Sequence, residues 1–162
     1  MFRAPFGRKE RMMKKTVRAL WLIVAAAVIM LALVSCGPVS DTSGECTVVI
    51  AGETEHVYTV DLAAVDISEG AYSLLKYLRD TEGVEFTATE SATGAFLNTV
   101  GGIVLGEGQY IWVWTSVEAD FDASGFVEDL EYKGKTLKSA KVGISEMSVL
   151  DGAVIYIGAI NF

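Results

Sequence analysis

Histidine, cysteine and, beyond its first eighteen residues, basic side chains are scarce in this 162-residue chain. The single histidine is His56 and the only cysteines are Cys36 and Cys46. A zinc centre needs three or four Cys, His or carboxylate ligands at short spacings, and this chain offers no such spacing. A Cys46–His56 dyad fails on geometry. If a hairpin sets Ala51 opposite His56, Cys46 falls opposite Asp61, five positions along the ladder and about 16 Å away. The phosphate-loop pattern is incomplete, because Asp129 stands where the sequence before Gly134-Lys135-Thr136 would need a glycine. The stretch GISEM, residues 143–147, lacks the last glycine of a nucleophile elbow. Seven of the 13 Lys and Arg lie within residues 1–18. Residues 36–162 therefore hold six bases against twenty acids, a net charge of −14. Such a surface repels phosphate backbones, which excludes nucleic acid as a partner. No apolar run is long enough for a membrane span of about 20 residues, since the longest, residues 19–34, has 16.

That run has another use. MKKTVRALWLIVAAAVIMLALVSCG begins at Met13 with Lys14, Lys15 and Arg18. A basic start, a short apolar stretch and small residues before a cut site make a secretory signal peptide. The start codon is Met1, Met12 or Met13. LVSC, residues 33–36, resembles the bacterial lipobox, and the resemblance implies that Cys36 becomes the lipidated first residue of the mature chain. An uncleaved N-terminal anchor is the alternative. Either way the expected location is extracytoplasmic, with membrane lipid as a partner through Cys36. Two or more acyl chains hold firmly where one does not. With Cys36 so used, Cys46 has no disulfide partner and reads as a small buried apolar residue.

Residues 36–45 then comprise the lipidated cysteine and a polar Gly-, Pro- and Ser-containing tether. Residues 46–162 are one domain with a modest core and no internal repeat. CTVVIAG and HVYTVDL form β-rich runs around ETE, a hairpin signal. SEGAYSLLKYLRDTEG is the clearest helix. Ser68 can cap it, Gly83 follows its end, and Ala71, Leu74, Leu75 and Leu78 make one apolar stripe. VEFTAT reads as a strand. GAFLNTVGGIVLGEG reads as a hairpin or irregular loop. QYIWVWTSV is a strong strand, and GKTLKSAKVG a short strand or turn. An Asp-Gly turn precedes the apolar strand AVIYIGAI. One helix among five to seven strands is an α+β domain with a mixed or antiparallel sheet.

Two stretches carry candidate chemistry. In DFDASGFVEDLE, Asp120, Asp122, Ser124, Gly125, Glu128 and Glu131 fall at positions 1, 3, 5, 6, 9 and 12 of a calcium-loop frame, with Val127 at the apolar position 8. An EF-hand also needs flanking helices, and the residues before this frame alternate as a strand. A calcium loop without helices and a plain acidic surface loop are the two readings left. On QYIWVWTSV, Tyr110, Trp112 and Trp114 share one face. Such rings stack on flat ligands or fill a core. The core reading puts two of the three against the helix stripe. At least one Trp is expected in a pocket beside Phe96 and Asn98.

The order of hairpin, amphipathic helix, GAFLNTVGGIV, GQYIWVWTS and SVLDGAVIYIG resembles the transcobalamin-like C-terminal domain family, a domain of unknown function, over residues 46–160. The resemblance implies a β-grasp-like mixed sheet packed on one amphipathic helix. It also implies a non-catalytic binding module with a cobalamin-like small molecule as ligand. In transcobalamin and intrinsic factor this domain covers one side of cobalamin, and the helical domain that holds the other side is not present here. The chain departs from the family in the long excursion from Thr115 to Val142 and in Asp151-Gly152-Ala153 where the family has Asp-Gly-Asp. A structural or adhesive module presenting its surface to a protein partner, with or without a calcium-stabilised loop, is the second function class.

Overall fold

A computed structural model describes residues 38–161. Cys36, the lipidation candidate, and the signal-peptide stretch lie outside the described residues. Among the described residues, eight strands and one α-helix make a mixed α+β fold. The strands are β1 (Glu45–Ala51), β2 (Glu55–Asp61), β3 (Phe86–Ser91), β4 (Gly94–Val100), β5 (Gln109–Thr115), β6 (Leu130–Tyr132), β7 (Lys135–Ser139) and β8 (Val154–Asn161). The helix α1 spans Gly70–Glu82. Six strands form one sheet in the order β2-β1-β8-β5-β7-β6, and β3 and β4 form a separate antiparallel pair. β1 runs parallel to β8, and every other strand pair is antiparallel.

The β1–β2 hairpin corrects the expected register by one residue. Ala51 pairs with Glu55, Ile50 with His56 and Cys46 with Val60. The reason is side-chain parity. Directly opposed residues share a face, so this register puts Cys46, Val48, Ile50 and Val60 together on the helix side, all nearly fully buried. The slipped register would set Val60 against Thr47 and turn it out of the core.

The apolar stripe on α1 lies where its spacing predicts. Ala71, Leu74, Leu75 and Leu78 are buried, and removing each leucine from water contributes about 2 kcal/mol. Gly83 ends the helix in the left-handed region, φ +72°, and its N–H donates to the Arg79 carbonyl. The start of the helix differs from expectation. Glu69, not Ser68, occupies the N-cap position and caps with no side-chain bond. The Ser73 hydroxyl accepts the Glu69 N–H instead, while the Ser68 N–H turns back to the Asp66 carboxylate.

The middle of the sheet is buried on both sides, while β2 at its edge is largely exposed. On the helix side lie Val48, Ile50, Ile111, Ile155 and Ile157. On the other, Val49, Trp114 and Val154 pack with Tyr132 of β6 and Leu137 of β7. The expectation that two rings of the aromatic face meet the helix stripe is therefore corrected. β5 pairs Val113 with Ile157 and Thr115 with Ile155, so its branched side chains go under the helix. The rings go to the face that the β6–β7 hairpin covers.

A second correction concerns the tether. Residues 39–45 are docked on residues 148–152 and are not a free linker. The Asp41 N–H donates to the Val149 carbonyl, the Val149 N–H to the Val39 carbonyl, and the Glu45 N–H to the Asp151 carboxylate. Among the described residues, no helix is long and apolar enough to cross a membrane.

Candidate functional site

β7 pairs with β5 only at Trp114 and Thr115. Before Val113, whose carbonyl accepts the Ala140 N–H, β5 is strand-paired with β8, and on its other side β4 lies across a cleft. Phe96 and Leu97 of β4 face Ile111, Trp112 and Val113 of β5, and Ala140, Val142 and Ile144 close the far wall. Every lining side chain is apolar or aromatic, and the cleft has room for about 70 Å³. Phe96 is 47% exposed and Tyr110 55% exposed. Trp112 is half-buried, and its indole N–H donates to the Ser139 hydroxyl at 3.0 Å.

The five residues expected at a ligand site separate into three groups. Phe96 and Trp112 share the cleft. Asn98 points elsewhere, its amide donating to the Thr89 hydroxyl at 2.9 Å, and Tyr110 is not part of the lining. Trp114 is in the second core. Its N–H donates to the Glu128 carbonyl, and its ring meets Tyr156 edge-on, with centroids 5.9 Å apart. Sequence reading missed the wall formed by residues 140–144. The available signal was Gly143: a Cβ there would come within 2.6 Å of the Ala95 carbonyl, so only glycine allows β4 this close.

The acidic frame is dispersed. Asp120 is 5% exposed, and its carboxylate accepts the Ser148 N–H at 2.6 Å and the Ser148 hydroxyl at 3.3 Å. Asp122 folds onto Ser124, accepting its N–H and its hydroxyl. These bonds hold the Asp122 carboxyl below its ordinary range, the side-chain bond contributing most. Glu131 belongs to β6 and accepts from the Thr136 hydroxyl at 2.6 Å. Glu128 supplies the carbonyl that Trp114 uses. Gly125 has φ +67°, as the frame requires. Among the described residues, no three Asp, Glu, His or Cys groups converge where they could hold a metal ion.

Cys46 is fully buried, and burial pushes its thiol up to about 12, only partly opposed by the Lys135 charge. A folded value above the ordinary 9.0 means a stability contribution that is complete below pH 9 and declines as pH rises toward 12. An aromatic disulfide reagent near pH 8 is accordingly expected to label Cys46 roughly a thousandfold more slowly in the native chain than in denaturant. Comparable rates would place the thiol at the surface.

No protein-family model and no curated protein matches the chain. Among solved structures it is similar to a candidate metal-binding protein from Ruminococcus gnavus ATCC 29149, at 14% identity and a TM-score of 0.47. That alignment covers 74% of this chain and 99% of the other. The chain is also similar to haptocorrin in complex with Cbi, at 12% identity and a TM-score of 0.49. Here the alignment covers 75% of this chain and 26% of haptocorrin. Both values lie below those at which a likeness of fold would speak to a shared ligand, so the functional reading rests on this chain's own cleft.

Proposed function

We propose that this chain is a non-catalytic extracytoplasmic binding module, held at a membrane through Cys36, that presents the β4–β5 cleft to one side of a flat organic ligand. The observation that carries the reading is that Phe96 and Trp112, on strands that do not pair, line one apolar cleft. Enclosing pockets for organic ligands run to roughly 300–1,000 Å³. A cleft of about 70 Å³ admits an edge or a substituent and leaves the rest of the ligand outside. That suits a module covering one side of a ligand. The lining contains no titratable group, which supports binding over catalysis. An adhesive module would bury Phe96, and its exposure at the cleft favours the ligand reading. The parallel pairing of β1 with β8 inside the sheet supports the β-grasp-like description. The motif order that resembles the transcobalamin C-terminal domain family makes a corrinoid the first ligand to try.

Equilibrium dialysis of the full chain in detergent against cyanocobalamin tests this. Retention is expected, and Phe96→Ala is expected to weaken it by about tenfold, the equivalent of ~1.4 kcal/mol of lost ring contact. No retention by the unaltered chain overturns the corrinoid. Retention unchanged in both Phe96→Ala and Trp112→Phe overturns the cleft.

A further inference from the structure

A second cleft lies on the opposite face of the sheet, between the β6–β7 turn and the β1–β2 hairpin. Its volume is about 240 Å³. Val57, Val154 and Tyr132 give it apolar walls, Thr47 and Thr59 contribute hydroxyls, and Lys133 and Lys135 stand at its edge. We propose that this cleft binds a small organic carboxylate, with the two lysine ammonium groups taking the carboxylate and the apolar walls taking its body.

Charge is the first observation. Residues 36–162 carry twenty acids and six bases, so two lysines without a carboxylate partner on one cleft are a local concentration of positive charge on an acidic surface. Lys76 and Lys138 pair with Glu69 and Asp129. Among the described residues, neither Lys133 nor Lys135 makes an ion pair. The Lys133 ammonium lies 5.0 Å from the Tyr132 ring centroid, and Lys135 donates to the Gly152 carbonyl. Each is thereby held at the cleft with donors to spare.

Backbone conformation is the second. Lys133 is the only non-glycine residue with positive φ among the described residues, at +48°, and Gly134 follows at +78°. Tyr132 pairs with Lys135, so this is a two-residue turn with both central residues left-handed, a site that favours Asn-Gly. A lysine accepts strain there that asparagine would avoid, and strain of this kind collects at functional positions.

The hydroxyls are the third. Thr47 and Thr59 are directly opposed across β1 and β2. Among the described residues, neither side chain has a hydrogen-bond partner, so both can donate to an incoming oxygen. On the same face the Glu55 carboxylate accepts from the Tyr132 hydroxyl, and the Asp61 carboxylate is turned to the Ala63 N–H. The charge of −14 works against loose anion binding anywhere on the domain. Carboxylate capture here therefore needs the local arrangement.

Calorimetric titration of the full chain in detergent with sodium benzoate tests the proposal. Benzamide serves as the uncharged isostere and inorganic phosphate as the competing anion. Benzoate is expected to bind at one site with a dissociation constant of about 1 mM or tighter. Benzamide, phosphate, and benzoate on the Lys133→Asn/Lys135→Gln double variant are each expected to be weaker by about tenfold or more. Lys133→Asn keeps the turn preference, and a thermal midpoint no lower than that of the unaltered chain confirms the fold of the variant. Phe96→Ala is expected to leave benzoate binding unchanged, which separates this cleft from the β4–β5 cleft. The proposal is overturned by absence of benzoate binding at millimolar concentration, by equal binding of benzamide, by tighter binding of phosphate, by insensitivity to the double variant, or by loss in Phe96→Ala.

Discussion

Replacing Asp120 with alanine is expected to lower the thermal midpoint by roughly 10 °C, and by the same amount in calcium as in EDTA. In the sequence frame Asp120 is the first calcium ligand. In the fold it is a buried carboxylate joining the segment after β5 to the one before β8. Its oxygens accept both the backbone N–H and the hydroxyl of Ser148, which is itself buried. Hydrogen bonds to a charged group are worth about 1.5–3 kcal/mol, and a buried donor left without an acceptor adds its own cost. A loss of ~3 kcal/mol follows for a domain of this size. Asp120→Asn keeps an acceptor oxygen and should lose less than the alanine variant. A calcium site makes a different pattern: EDTA would destabilise the unaltered chain, calcium would restore it, and Asp120→Ala would abolish the difference. That result would return Asp120, Asp122, Ser124, Glu128 and Glu131 to a metal-binding role.

The acidic frame also shows what local sequence could and could not reveal. Ligand spacing is a one-dimensional property, and this chain has it in full. Whether the carboxylates converge depends on where the backbone goes, and here residues 118–120 form a 3-10 turn while Glu131 enters β6. β6 has three residues, too few to show a period of two, and its pairing of Leu130 with Leu137 closes through a turn that only Gly134 hints at. The helix was legible because four apolar residues repeat at helical spacing and one layer covers them. β8 was legible as an unbroken apolar run. β5 was half legible. Its alternation separates Tyr110, Trp112 and Trp114 from Ile111, Val113 and Thr115. Both sets face apolar layers, so alternation gave no sign of which set lies under the helix. The β1–β2 register turned on a single residue in the turn. The cleft was the least visible feature, because it exists where β5 lacks a neighbour, and strand order is set by contacts distant in sequence.

Trp114 is expected to separate stability from binding. Trp114→Ala should cost about 3–5 kcal/mol in urea unfolding of the full chain in detergent, the range for removing a buried tryptophan. The ring is only 7% exposed and packs with Val49, Leu137 and Val154. Its N–H fastens the Glu128 carbonyl, so the same residue closes the second core and anchors the acidic loop. Trp114→Phe retains much of the packing and gives up that bond, for a loss of about 1 kcal/mol from the missing donor and more from the smaller ring. Phe96→Ala makes the contrast. With 47% of its surface already in water, it should change stability by less than about 1 kcal/mol while weakening ligand retention. The aromatic residues of the two strands thus have separate roles. Trp114 is committed to the fold, while Phe96 and Trp112 remain at an opening. If Trp114→Ala leaves stability intact and abolishes cyanocobalamin retention, the division is wrong and the rings of β5 act together at the ligand. If Phe96→Ala is as destabilising as Trp114→Ala, the β4–β5 cleft is part of the core and no ligand site remains there.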